Sequence, residues 1–326
     1  MKKLENIDIR ILKALLKDGR TNFTDIAKEC DTSKDIIWFH FNQMEKAGII
    51  VGSTIQYNFQ KFGYTGVATT LLSVESQNLL ETYNYVKTIP DIRSILNLYN
   101  SPYNIAVITT FKNLSDLEYI KRALCKQGKI GSIRTFLWTD VRNIPENIFV
   151  CPDNSENFQT PILNDFQINN QEDLPEYDQI DNKIIEMLTL DGRLPFAKIA
   201  GSIATSTTTV VRRYNNLRKN NLIKVSIQFD PVKLGFQSFL EISLTLSDQN
   251  KSSYIVDAIS KIPGVSYMVK TSGYNDLFAV ALVKDCNDAI EINRNILEIP
   301  NIKKIEAHLR QITPTWPTVR QYISTF

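Results

Sequence analysis

Ile7-Asp8-x-x-Ile11, followed by Asp18-Gly19-Arg20, Ile26-Ala27 and Ser33, returns later as Ile180-Asp181-x-x-Ile184, Asp191-Gly192-Arg193, Ile199-Ala200 and Ser206. The step is constant: Asp8 to Asp181 and Ser33 to Ser206 are both 173 positions, so no insertion interrupts the stretch. Further on, Ile55-Gln56-Tyr57-Asn58 and Phe62-Gly63-Tyr64 come back one residue closer, as Ile227-Gln228-Phe229-Asp230 and Leu234-Gly235-Phe236. A period this long exceeds that of a solenoid unit. It marks a duplicated module, and one chain is expected to build what a dimer of single modules would build.

Each copy opens with three short helices and a strand pair. Ile7, Ile11, Leu12, Leu15 and Leu16 lie at helical spacing, and Asp18-Gly19 stops that helix, with glycine free to take a left-handed cap. Asn22 and Ser33 are N-cap residues for a second and a third helix, the third burying Ile37, Phe41 and Met44. Gly48 ends the third helix, and an extended segment runs from Ile49 to Phe59. Copy two repeats this with Ser206 as the cap and Val210, Tyr214 and Leu217 as the buried face. Helix, short helix, tight turn, helix and β wing make a winged helix-turn-helix.

The rest of each copy alternates strand and helix. Copy one reads as strand 67–74, helix 79–89, strands 92–99 and 105–111, helix 117–125 and strand 133–138. Copy two reads as 239–246, 254–262, 265–270, 277–283, 289–297 and 302–309 in the same order. That βαββαβ order is ferredoxin-like, with both helices on one sheet face. The other face, for which Leu240, Ile242 and Leu244 are expected, needs a partner, and the equivalent sheet of the other copy is the nearest one. The fold class is therefore α+β, with the two sheets paired as an internal pseudo-dimer. The domains are 1–60 and 177–232 (winged helices), 61–150 and 233–326 (ferredoxin-like), and 151–176 as a linker rich in Asn, Gln, Asp and Glu. Fully extended, ~25 residues at about 3.3 Å each reach roughly 80 Å, enough for the halves to pair face to face.

Composition adds exclusions. In 326 residues, 43% are hydrophobic and 22% charged, ordinary for a globular chain large enough for more than one domain. No apolar run is long enough for a membrane span, and the first residues do not read as a signal peptide. Four scattered cysteines and two distant histidines, His40 and His308, offer no metal-site spacing, and reduced thiols fit a cytoplasmic protein. The net charge of +2 neither requires nor excludes nucleic acid, for which local clustering matters.

On Ile-Asp-x-x-Ile, Asp-Gly-Arg, Ile-Ala, the Ser-capped third helix, Lys233-Leu234-Gly235-Phe236 and Ser272-Gly273-Tyr274-Asn275-Asp276-Leu277, each copy resembles an Lrp/AsnC-type (feast/famine) transcription regulator. The resemblance implies DNA binding through the winged helix and pairing through the ferredoxin-like (RAM-type) domain. It also implies sensing of an amino acid or similar small effector near the Gly-Tyr-Asp-like loop, and assembly into homo-oligomers. A tandem copy departs from the usual single-copy plan.

DNA reading is expected of Ser206, Thr207, Thr208, Val211, Arg212, Arg213, Asn215 and Arg218 in copy two. In copy one the face offers Ser33, Lys34, Trp38 and His40, with Phe39 where copy two has Arg212. Two aromatics and Asp35 are poor material against a polyanion. Either they pack on the wing or sheet, or they meet a partner, or this reader has lost affinity. For the effector, Ser272, Gly273, Tyr274, Asn275 and Asp276 are the candidates, against the plainer reading that the loop is a tight hairpin turn. In copy one Pro102 replaces the glycine and the acid is gone. No cofactor, metal or catalytic triad is expected, and the regulator is read as not an enzyme. Alternatives are an enzyme like the sirohaem decarboxylases, which also resemble this family, supported only by His308 and Arg310, or a winged-helix protein-interaction adaptor.

Overall fold

The computed structural model describes residues 4–98, 102–126, 129–149 and 176–318. The expected linker, apart from Glu176, and the aromatic tail with Tyr322 and Phe326 lie outside the described residues. Copy one comprises α1 (Asn6–Lys17), α2 (Phe23–Glu29), α3 (Lys34–Lys46), β1 (Ile50–Tyr57), β2 (Gly66–Val74), α4 (Leu79–Val86), β3 (Ile92–Asn97), β4 (Ile105–Phe111), α5 (Leu114–Cys125) and β5 (Ile130–Asn143). Copy two follows with α6 (Gln179–Leu190), α7 (Phe196–Ser202), α8 (Thr207–Lys219), β6 (Ile223–Phe229), β7 (Ser238–Leu246), α9 (Ser252–Ser260), β8 (Val265–Ser272), β9 (Leu277–Val283), α10 (Cys286–Leu297) and β10 (Ile302–Gln311).

The helices form where the caps and apolar spacing place them. Asn22 accepts from the Asp25 N–H, and Ser33 and Ser206 accept from Ile36 and Thr209. Ile37, Phe41 and Met44, and equally Val210, Tyr214 and Leu217, are buried. Helix α10 begins at Cys286 rather than near Ala289, because Asp285 caps it ahead of the first apolar position.

The wings differ from the sequence reading. Neither head makes its own strand pair: β1 pairs antiparallel with β6, so one two-stranded ribbon is built from both copies. An isolated two-stranded ribbon is marginal in water. Here it is covered crosswise, α1 packing on β6 and α6 on β1. Ile227 and Phe229 of copy two sit in the core of the first head with Ile11, Leu12, Leu15 and Leu16, while Ile55 of copy one sits among Ile184, Ile185 and Leu188 of the second. Each head completes its core with the other copy's strand.

The Asp-Gly-Arg turns are the clasps. The Gly19 N–H donates to the Val225 carbonyl at 2.8 Å, and the Gly192 N–H to that of Ser53 at 3.0 Å. A Cβ on Gly19 would lie 2.8 Å from Val225 Cγ1, and one on Gly192 would lie 2.8 Å from the Thr54 carbonyl oxygen. Close backbone approach, not a left-handed cap, is what these glycines supply, since neither has a positive φ. The arginines then cross over. Arg20 donates to the carbonyls of Gly192 (2.8 Å) and Leu194 (2.6 Å) and lies 4.1 Å over the Phe196 ring; Arg193 donates to the Gly19 carbonyl (2.6 Å) and lies over Phe23 and Phe41.

The ferredoxin-like halves form one eight-stranded antiparallel sheet in the order β10-β7-β9-β8-β5-β2-β4-β3. Strand β5 runs to Asn143, past the expected end at Trp138, because residues 137–143 pair with β8 of copy two. The two halves also face each other, with Val67, Ile108 and Trp138 in one apolar cluster with Phe239, Tyr267 and Phe278. The expected partner-facing residues prove to be the wrong set. Leu240, Ile242 and Leu244 pack instead against Ile255, Ile259, Ile292 and Ile296 of α9 and α10, and the alternate residues Phe239, Glu241 and Ser243 look at copy one. Alternation gives two faces but not which face the helices cover.

Gly192→Ala should destabilise the protein by about 1–3 kcal/mol, the usual cost of overpacking a tight contact. Gly201, in α7 with open space where a Cβ would go, is the control: Gly201→Ala should be neutral or stabilising. Urea midpoints of the two variants, compared with the parent chain, check this.

Candidate nucleic-acid interface

Helix α8 carries Arg212, Arg213, Arg218 and Lys219 and no acid, and its N-terminal turn presents Thr207 and Thr208 to solvent with Arg212 and Asn215. Arg212 makes no hydrogen bond or ion pair with any described residue, so its guanidinium stands free on the exposed face. Val211 beside it is half-buried.

Other expected readers are withdrawn from that face. Arg213 pairs with Asp181 (2.8 Å) and Asp178 (2.9 Å), tying α8 to the start of α6. Asp178, the N-cap of α6, is held below the usual aspartate range by the backbone N–H of Asp181 and by Arg213. In copy one the same tie is His40 Nδ1 to Asp8 at 2.8 Å, which holds α3 against α1. Arg218 pairs with Asp18 of the other copy at 2.6 Å. Ser206 and Ser33 spend their hydroxyls as caps. The sequence showed which residues share α8 but not that the carboxylates of α6 capture one of its arginines.

The copy-one face is built otherwise. Helix α3 balances Lys34 and Lys46 against Asp35 and Glu45. Trp38 and Phe39 are 58% and 54% exposed, which removes the option that they pack on the wing or sheet. Lys34 is exposed at its N-terminal turn.

The loop from Ser272 to Asp276 is bonded in part within its own chain. The Asp276 carboxylate accepts from Leu246 N–H (2.7 Å) and from Gln249 Nε2 (2.8 Å), leaving it spoken for by its own chain. Asn104 clamps Val74 at the matching place in copy one, its Oδ1 accepting from Val74 N–H at 2.9 Å. Gly273 has φ +138°, and a Cβ there would lie 3.1 Å from that of Phe136, so glycine lets the loop pass close across the seam between copies. Ser272 ends β8 opposite Leu137. Only Tyr274 and Asn275 border open space, a cavity between the sheets. Residues that the sequence reading missed are Arg20 and Arg193; the signal was there in the Asp-Gly-Arg repeat, whose arginine a helix stop does not need.

Fold and face together define a duplicated winged-helix protein whose heads share a two-stranded ribbon and whose ferredoxin-like halves share one sheet. The winged helix-turn-helix DNA-binding family matches residues 4–51, the AsnC-type helix-turn-helix domain residues 178–218, and the Lrp/AsnC ligand binding domain residues 237–313. The HTH-type transcriptional regulator LrpA of Pyrococcus horikoshii is 34% identical over 130 residues, 40% of this chain and 88% of that protein. Another HTH-type transcriptional regulator of the same organism is 30% identical over 152 residues, 45% of this chain and 94% of its own length. The chain belongs to the Lrp/AsnC family. A crystal structure of the siroheme decarboxylase NirDL superposes with a TM-score of 0.64 over 98% of this chain and 95% of that one, at 16% identity. At that identity the likeness is one of fold, and it extends to the whole duplicated plan.

Asp276→Asn should cost little, since copy one uses Asn104 for the same clamp, whereas Asp276→Ala should cost about 1–3 kcal/mol by leaving a strand-end N–H unpaired. Chemical denaturation of the two variants distinguishes this clamp from a ligand contact.

Proposed function

We propose that the chain is a sequence-specific DNA-binding transcription regulator of Lrp/AsnC type. It binds double-stranded DNA mainly through its second head, in the cytoplasm, as pseudo-dimeric chains that assemble further, and it carries out no catalysis. The observation that carries this reading is the free Arg212 on an acid-free α8, beside Thr207, Thr208 and Asn215. Hydroxyls and backbone N–H groups at a helix N-terminus suit phosphate, while arginine and asparagine one or two turns on suit base edges. The balanced, aromatic α3 face lacks that chemistry, so the first head contributes little affinity. The effector, in this reading, acts on the sheet domain, which meets the ribbon of the heads where Trp316 pairs with Phe229.

The test is fluorescence anisotropy on genomic fragments across a salt series, followed by footprinting. Affinity should fall steeply with salt. Arg212→Ala should cost about 1–3 kcal/mol of specific binding. Trp38→Ala should change binding little, and Arg213→Ala should lower thermal stability by freeing Asp181. Equal losses from Arg212→Ala and Trp38→Ala would refute the asymmetry, and salt-insensitive or absent binding would refute the regulator itself.

A further inference from the structure

The two seams between the sheet halves are not alike. At the β5–β8 seam, Arg142 pairs with Asp257 (2.7 Å) and donates to Ser260, Asn147 donates to the carbonyls of Ile262 and Val265, and Lys270 lies 3.9 Å from Asp140. The register fixes the matching positions of copy two: Thr69 faces Phe136 as Glu241 faces His308, a step of 172 residues in each case. By that step Asp140 corresponds to Ile312 and Arg142 to Pro314, so the pairing groups are absent, and proline has no N–H for a ladder. Strands β3 and β10 accordingly remain the two edges of the sheet, joined by a bond from Arg310 Nη1 to the Asn97 carbonyl at 3.1 Å.

Behind that unzipped seam lies a cavity of about 910 Å³. It is near the upper end of the roughly 300–1,000 Å³ of pockets that enclose drug-sized ligands, and several times the bulk of a free amino acid. Nine aromatic side chains wall it, among them Phe136, Trp138, Phe239, Phe278 and Trp316. Filled only by solvent it would hold on the order of 30 waters at ~30 Å³ each, many of them against the apolar faces of those rings.

The polar wall is equally specific. Where copy one has Phe136 and Trp138, copy two has His308 and Arg310, on one face of β10 about 6.6 Å apart along the strand. Glu241 is matched by Arg310, and Glu306 by Lys304 and by Tyr274 at 3.4 Å. Arg93, also in the wall, is held by Asp91, Thr110 and Tyr64. What is left over is donor capacity: neither the His308 ring nor Arg310 Nη2 has a hydrogen-bond partner among the described residues. Burial pulls the Arg310 pKa down to about 10, even with Glu241 against its Nε edge.

We infer that this cavity is a binding site for one flat, largely apolar carboxylic acid per chain, larger than any amino acid, its carboxylate held by Arg310 and His308 and its body stacked on the aromatic wall. A carboxylate accepts from guanidinium and imidazole at once, and ring edges and faces of the wall favour a planar body. The stoichiometry is one because the second seam is closed. This site does not depend on whether the second head reads DNA.

Trp138 and Trp316 lie in the wall, whereas Trp38 is exposed on α3. In a Trp38→Phe chain, intrinsic fluorescence therefore reports the cavity. Anthracene-2-carboxylate should quench it saturably at one equivalent per chain, with anthracene-2-carboxamide at least tenfold weaker. Haemin, a macrocyclic acid, tells the source: uptake places the ligand at macrocycle size, and exclusion beside anthracene-carboxylate binding places it at a fused-ring acid. The double change Glu241→Gln/Arg310→Gln, which leaves no orphan charge, should weaken the acid at least tenfold and the amide hardly at all. Ser243→Phe, a cavity-filling change with its thermal midpoint checked, should abolish binding of both. Saturation by free leucine or tryptophan in place of the larger acids, equal affinity for acid and amide, two equivalents per chain, or binding that survives Ser243→Phe would each overturn the inference.

Discussion

The exchange of ribbon strands beneath the two Asp-Gly-Arg turns is the constraint from which the rest of the structure follows. The ribbon of β1 and β6 is too small to be stable alone, and neither head closes its core without the other copy's strand. Arg20 and Arg193 add crossed, half-buried hydrogen bonds and ring contacts, and burial lowers the pKa of both. Their guanidinium groups donate to carbonyl oxygens and lie over aromatic faces, while the carboxylates of Asp18 and Asp191, and for Arg193 of Glu45, offset part of the cost of burial. The heads are thereby fixed to each other before either meets a ligand.

Legibility followed the range of the physics. The duplication, the Ser33 and Ser206 caps and the buried sets of α3 and α8 depend on neighbours three or four residues away, and they read directly. The face of β7 that meets the helices did not, because Phe239-Leu240-Glu241-Ile242-Ser243-Leu244 alternates cleanly either way. Nor could spacing reveal that Arg213 is captured while Arg212 is left free, since the decisive carboxylates, Asp178 and Asp181, lie 35 and 32 positions upstream of Arg213. The bonds of Asp276 were not legible because its partners, Leu246 and Gln249, come from the end of β7 and the turn beyond it, some 30 positions upstream. Glu241 was the overlooked signal: the one charged residue of β7 marks a position that is neither helix-covered core nor open surface.

Fusion also explains how the halves came to differ. In a two-fold dimer a substitution alters both heads and both seams together. In one chain, His40 can replace an arginine in one head alone, and Trp38 and Phe39 can take over one reading face while Arg212 keeps the other. The same freedom let one seam close with Asp140 and Arg142 pairing Lys270 and Asp257, while its counterpart has Ile312 and Pro314 in their places.

A closed seam and an open one have different mechanical consequences. The β5–β8 side locks the two sheet halves with ion pairs and a continuous ladder, so any adjustment between halves must occur at the β3–β10 side. That side is also where Trp316 leaves β10, pairs with Phe229 at the end of the β6 wing strand, and packs on Phe239 in the cavity wall. The cavity and the ribbon that carries both heads therefore share a residue. An occupant that reorders the wall at Trp316 acts on Phe229, which is fully buried in the core of the first head, and through the ribbon on the second.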